Sequence, residues 1–157
     1  MKTELETIIL TLRNTLSGKP WFGKPVYTIL EEVHPALVYK KPLETGHSMI
    51  DLLYHMLTWS EFTLARIRRE EEKDMEAFDK KDWRIIDPLE HTWGKGIKNF
   101  RNTNDSILGV LEAKSDDWLN EKVDYRDYNF RTLLSGISQH HIYHAGQLAY
   151  VSKLLLV

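Results

Sequence analysis

Residues 130–155 read FRTLLSGISQHHIYHAGQLAYVSKLL, and this stretch decides the fold. Leu133, Ile137, His140, His144, Gln147 and Val151 recur at intervals of three and four, which aligns them on one face of an α-helix. Apart from its two imidazoles that stripe is apolar or neutral, so the histidines are expected to point inward. A helix this long with one inward face needs other helices to cover it.

Working outward, the same period covers most of the chain. Thr3 and Glu6 match a capping box around a helix through Leu5, Ile8, Ile9, Leu12 and Leu16. Gly18, Pro20, Gly23 and Pro25 then open a loop, and a short helix is expected over residues 26–33, stopping at His34 before Pro35. Ser48 and Asp51 form a second capping box. From there a long helix runs through Met49, Leu52, Leu53, Met56, Leu57, Trp59, Phe62 and Ile67 to about Arg69. The charge run from Arg66 to Asp74 reads as a solvated helix end, and residues 75–91, with Pro88, as a linking segment. A third long helix is expected over residues 92–113, although Gly94, Gly96 and Gly109 each cost about 1 kcal/mol relative to alanine. Residues 115–120 add at most a turn. VDYRDYNF, residues 123–130, is the one place where a short strand or extended segment is expected. Four long amphipathic helices with two longer connections predict an all-α fold, a four-helix bundle in one domain over residues 1–157.

Composition narrows the function. The chain has 157 residues, with 42% hydrophobic and 28% charged, an ordinary balance for a folded domain. Lys and Arg number 21 against 23 Asp and Glu, a net charge of −2 that offers no electrostatic footprint for nucleic acid or anionic membrane. Arg66, Arg68 and Arg69 are followed at once by Glu70, Glu71 and Glu72, which neutralise them locally. The first residues, MKTELETIIL, carry acidic groups inside their apolar stretch and do not resemble a signal peptide, so a cytoplasmic location is expected. There is no cysteine, which removes disulfides, thiolate ligands and a cysteine nucleophile.

The seven histidines carry the chemistry. His140 and His144 lie one helical turn apart, a spacing at which two imidazoles can share a metal ion. A pair of structural core histidines has the same spacing, and on spacing alone both readings stand. His55, on a face with Leu52, Trp59 and Phe62, is the best candidate for a third ligand, and His47 the second choice. His34 and His91 sit beside loop signals and are expected to be exposed. His141, about 100° around the helix from His140, reads as surface or inter-helix packing. Asp51 has two readings: the cap of its helix, which is preferred, or a carboxylate orienting His55. Tyr143 and Gln147 could reach a bound ligand, or serve core packing and a helix–helix hydrogen bond.

LLYHMLTWSE (residues 52–61) and HHIYHAGQL (residues 140–148), with GHS at 46–48, resemble the DinB/YfiT-like metalloproteins. This is the helical family named after a damage-inducible gene product, not the polymerase that shares the name. The resemblance in length and helix order covers nearly the whole chain. It implies a divalent metal held by His55, His140 and His144, and a homodimer. It also implies a choice of activities: transferases and isomerases using low-molecular-weight thiols, hydrolases, and proteins without known activity.

Three neutral imidazoles and no thiolate suit zinc, nickel or iron on ligand type. An open coordination position makes such an ion a Lewis acid, able to bring the pKa of bound water to about 7 or to deprotonate a thiol. Without cysteine in the chain, that thiol must come from a small-molecule co-substrate. The resemblance puts a thiol-dependent transferase ahead of a hydrolase as the expected function, and the want of a general base other than Asp51 counts mildly in the same direction. A non-catalytic metal-binding stress-response protein and a plain bundle with structural histidines follow.

Overall fold

The helix that ends the chain, α6 (Phe130–Leu155), runs unbroken through the whole predicted face. It starts at Asn129, whose side-chain oxygen accepts the Thr132 N–H at 3.0 Å and so satisfies one donor of the first turn. The structure is a computed structural model and describes residues 2–70 and 75–156. Those residues form five further α-helices: α1 (Glu4–Leu16), α2 (Val26–Glu32), α3 (Met49–Ile67), α4 (Met75–Lys81) and α5 (Trp93–Leu111). Single 3-10 turns occupy Pro35–Leu37 and Asp117–Asn120.

The helix starts follow from their caps. Thr3 accepts the Glu6 N–H at 3.2 Å while Glu6 takes the Thr3 N–H at 2.8 Å, so the first capping box closes both ways. Two further orphan donors of α1, the Glu4 and Leu5 N–H groups, donate to the Asp116 carboxylate at 3.0 and 2.9 Å. The second box closes likewise: the Asp51 carboxylate accepts from the Ser48 N–H at 2.9 Å and the Ser48 hydroxyl at 2.7 Å.

α3 is the central helix. Only Asp51, Trp59, Glu61 and Leu64 fall short of full burial along its length, as expected of a helix covered on all sides. It packs on α5 and α6, and α1 packs on the same two. The close approach of α5 to α3 depends on Gly96, where a Cβ would stand 2.7 Å from the Leu53 Cδ2 and 3.0 Å from the Tyr54 Cε2. Its glycines therefore do not break α5, and this one sets its packing distance. Among the described residues, no helix is long and apolar enough to cross a membrane.

Two expectations are corrected. Residues 75–81 are helical rather than linking, because Phe78 is buried edge-on against Phe62 of α3, with ring centroids 5.4 Å apart. A seven-residue helix cannot stand alone in water, so its existence depends on that docking. Residues 123–130 form no strand. Lys122 and Asn129 make a lone antiparallel bridge, continued by the Val123 N–H donating to the Tyr128 carbonyl at 2.9 Å. Helix α3 stops at Ile67, two residues short of Arg69, and residues 71–74 of the expected charged turn lie outside the described residues.

Candidate metal centre

α3 supplies His55 and α6 supplies His140 and His144, and the packing of these two helices brings the three rings together. The Nε2 atoms of His55 and His140 lie 3.0 Å apart, and one ring nitrogen from each of the three lies within 4.8 Å of the others. Ring centroids are 4.4 Å apart for His140 and His144 and 4.5 Å for His55 and His144. His55 and His144 are each 5% exposed and His140 is half-buried.

Two of the rings are held from behind. The Nδ1–H of neutral His55 donates to the Asp82 carboxylate, and the same oxygen accepts the Trp59 Nε1–H at 3.0 Å. The Nδ1–H of His144 donates to the Gln147 side-chain oxygen at 2.5 Å, one turn along α6. Each bond fixes the tautomer with the proton on Nδ1 and leaves an Nε2 lone pair toward the cluster. Burial also keeps the rings neutral. Desolvation, reinforced by the other imidazoles, pushes the pKa of His55 down to about 4 and that of His140 down to about 3. His144 is lowered too, by desolvation, against the opposing bond to Gln147.

Asp82 was not visible in the sequence reading. It sits in the turn that follows α4, on the stretch read as a linker, and it takes the orienting role weighed for Asp51. Asp51 itself caps α3. The α4 end that carries Asp82 is tied to α3 by the Thr58 hydroxyl, shared between the Tyr54 carbonyl at 3.0 Å and the Lys81 carbonyl at 3.1 Å. Arg84 closes the turn by donating to the Lys81 carbonyl at 2.8 Å and to the Thr58 hydroxyl oxygen.

Trp83 is the second residue missed. Its indole lies between His55 and His47, stacked 3.8 Å from each with planes 9° and 12° from parallel. His47 is thus close to the cluster in space but separated from it by a ring, and is exposed. His34 is exposed and caps its own turn by accepting the Ala36 N–H at 3.2 Å. His91 is half-buried rather than exposed, accepting the Asp87 N–H at 2.9 Å. Tyr143 points outward, and Gln147 serves His144 instead of an inter-helix bond.

His141 is 0% exposed, so its reading as inter-helix packing holds and the surface alternative does not. Its Nε2 lies 3.1 Å from the Asn104 side-chain oxygen of α5 and 3.4 Å from the Ser60 hydroxyl of α3. Asn104 in turn donates to Ser60 at 3.2 Å and to the Phe100 carbonyl at 2.9 Å.

The three-histidine cluster is compatible with metal binding, and the family comparison points the same way. A family model described as DinB superfamily matches residues 26–148. The chain belongs to the DinB superfamily. No curated protein matches it. The DinB match runs from α2 into α6 and spans all three histidines as well as Asp82 and Gln147. The donor set fits a divalent ion: three neutral imidazoles, two with their distal nitrogens anchored, in surroundings that disfavour protonation.

Proposed function

We propose that the protein is a divalent-metal-dependent transferase that joins an external low-molecular-weight thiol to an electrophilic small molecule. The observation that carries this reading is the convergence of His55, His140 and His144, with His55 held by Asp82 and His144 by Gln147. His55, His140 and His144 would hold the ion through nitrogen. When bound, a zinc, nickel or iron ion supplies Lewis acidity that lowers the pKa of a coordinating thiol.

The rest of the work belongs to the chain's own residues. Asp82 and Gln147 keep two imidazoles in one tautomer and orientation. The indole of Trp83 covers the outer face of His55. In the transfer itself, the sulfur electron pair forms the bond to the electrophilic carbon, and the leaving group departs with its bonding pair. The thiol proton passes to solvent or to that leaving group. No cysteine occurs in the chain, so the sulfur belongs to a co-substrate.

A hydrolase is the second reading, and Asp82 is the observation that bears on it. Burial raises the pKa of this carboxylate, which suits a proton acceptor, but one of its oxygens is engaged by both His55 and Trp59. Thiol transfer asks for no such base, which favours it.

Elemental analysis of tag-free protein beside His55→Ala and His140→Ala comes first. About one ion per chain, lost in both variants, is expected. The loaded protein is then expected to accelerate consumption of chlorodinitrobenzene by cysteine, and to leave nitrophenyl acetate unhydrolysed without thiol. Ester hydrolysis alone selects the hydrolase, and neither reaction selects a non-catalytic metal-binding role. Absence of bound ion after dialysis against zinc and nickel overturns all three.

A further inference from the structure

A cleft of about 260 Å³ opens between α3 and α6 beside His140. Trp59 and Phe62 of α3 form one wall, with ring centroids 5.4 Å apart and edge to face. Leu133, Ile137 and His140 of α6 form the other, and Tyr128 stands at the far end. Along α6 the lining runs from Thr132 to His140, about 12 Å of helix, so one end of the cleft is a face of the candidate metal ligand itself. Its lining is apolar and aromatic apart from two threonines and that imidazole.

We propose that this cleft is the acceptor subsite, and that it takes an aromatic or branched apolar group about the size of one substituted benzene ring. The assignment rests on the transferase reading above. Size is the first argument. A cavity of about 150 Å³ lined by apolar side chains holds benzene, so this volume has room for a ring with a substituent. Position is the second, because a group lying along the cleft has one end at Tyr128 and the other against His140. Rigidity is the third. Trp59 is pinned through its N–H to Asp82, the residue that also holds His55, so wall and ligand share one anchor. A preformed apolar slot of this kind binds without ordering its own side chains.

Gly136 supplies the test. It lines the cleft, and a Cβ added there meets nothing within 4 Å, so a larger side chain enters open space without straining α6. Gly146, on the same helix, is equally open but lies in a different groove with Phe22 and Ile29, and serves as the control. Zinc-loaded protein is titrated with para-fluorotoluene and followed by fluorine NMR, with metal content measured for every variant. Saturable binding is expected in the unaltered protein, with nuclear Overhauser contacts from the ring protons to the methyls of Leu133 and Ile137. Gly136→Leu should weaken binding at least about tenfold while keeping its zinc, and Gly146→Leu should leave it unchanged.

No saturable binding, contacts only to residues elsewhere, or undiminished binding in zinc-loaded Gly136→Leu would overturn the subsite. The contact measurement needs no variant, so it decides even if Gly136→Leu folds poorly. Thiol consumption is scored separately. Binding in the cleft with no turnover supports the subsite and counts against the transferase, whereas full turnover in Gly136→Leu overturns the subsite alone.

Discussion

His55 meets four neighbours at once: Asp82 at its Nδ1, Trp83 on its face, and His140 and His144 across the cluster. Of these, Asp82 is the one whose removal leaves the ring free to turn and to change tautomer. Asp82→Ala is therefore expected to weaken zinc affinity about 10–100-fold, read by competition with a chromogenic chelator, with helicity unchanged. His141 belongs to a different account. It neighbours a candidate ligand in the chain yet serves the Asn104–Ser60 network. Replacing it by alanine leaves a cavity and strips a partner from buried polar groups, at a cost of roughly 1–3 kcal/mol. The expected outcome is a lower melting temperature with metal stoichiometry intact, the opposite pattern from Asp82→Ala. The sequence of α6 shows one inward stripe, and His141 lies off it. In the structure His141 is enclosed by α3 and α5, against Ser60, Phe100 and Asn104, so a residue 100° from His140 is also buried.

At the scale of elements, the long helices and the histidines they carry were legible because their determinants are local. Caps, apolar period and glycine or proline breaks act within about four residues of the chain, and the apolar period alone covers α6 over its observed length. The cap of α3 matters most, since that helix carries His55 less than two turns downstream. Ser48→Ala removes the hydroxyl that accepts the Asp51 N–H at 3.3 Å and donates to its carboxylate. A loss of about 1 kcal/mol is expected, measured by urea denaturation, with zinc still bound. α4 escaped notice for the converse reason. With Met75 and Phe78 as its apolar positions it has too little periodicity to register, and its stability comes from Phe78 against Phe62. The turn it ends in delivers Asp82 and Trp83, so missing the helix meant missing both residues.

For the whole molecule, the buried imidazoles tie stability to pH. The unfolded chain holds its histidines near 6.5, whereas the folded metal-free protein holds His55 near 4 and His140 near 3. Between those values the unfolded state binds more protons, so stability rises with pH; it is complete above about 6.5 and falls as acid is added. Thermal melts of metal-free protein are expected to drop steadily from pH 6.5 toward pH 4, and zinc-loaded protein to resist further into acid, because the ion occupies the lone pair that the proton needs. Sequence alone determined where the long helices lie, how α1 and α3 are capped, and that His55, His140 and His144 face inward, since each of these depends on neighbours a turn or two away. Tertiary structure decided that the three rings meet, that Asp82 reaches His55 across 27 positions, that Trp83 lies between two imidazoles and that an apolar cleft ends at His140. Those contacts depend on how α3, α4 and α6 pack and on the path of residues 75–91, and packing between distant segments leaves no periodic trace in the chain.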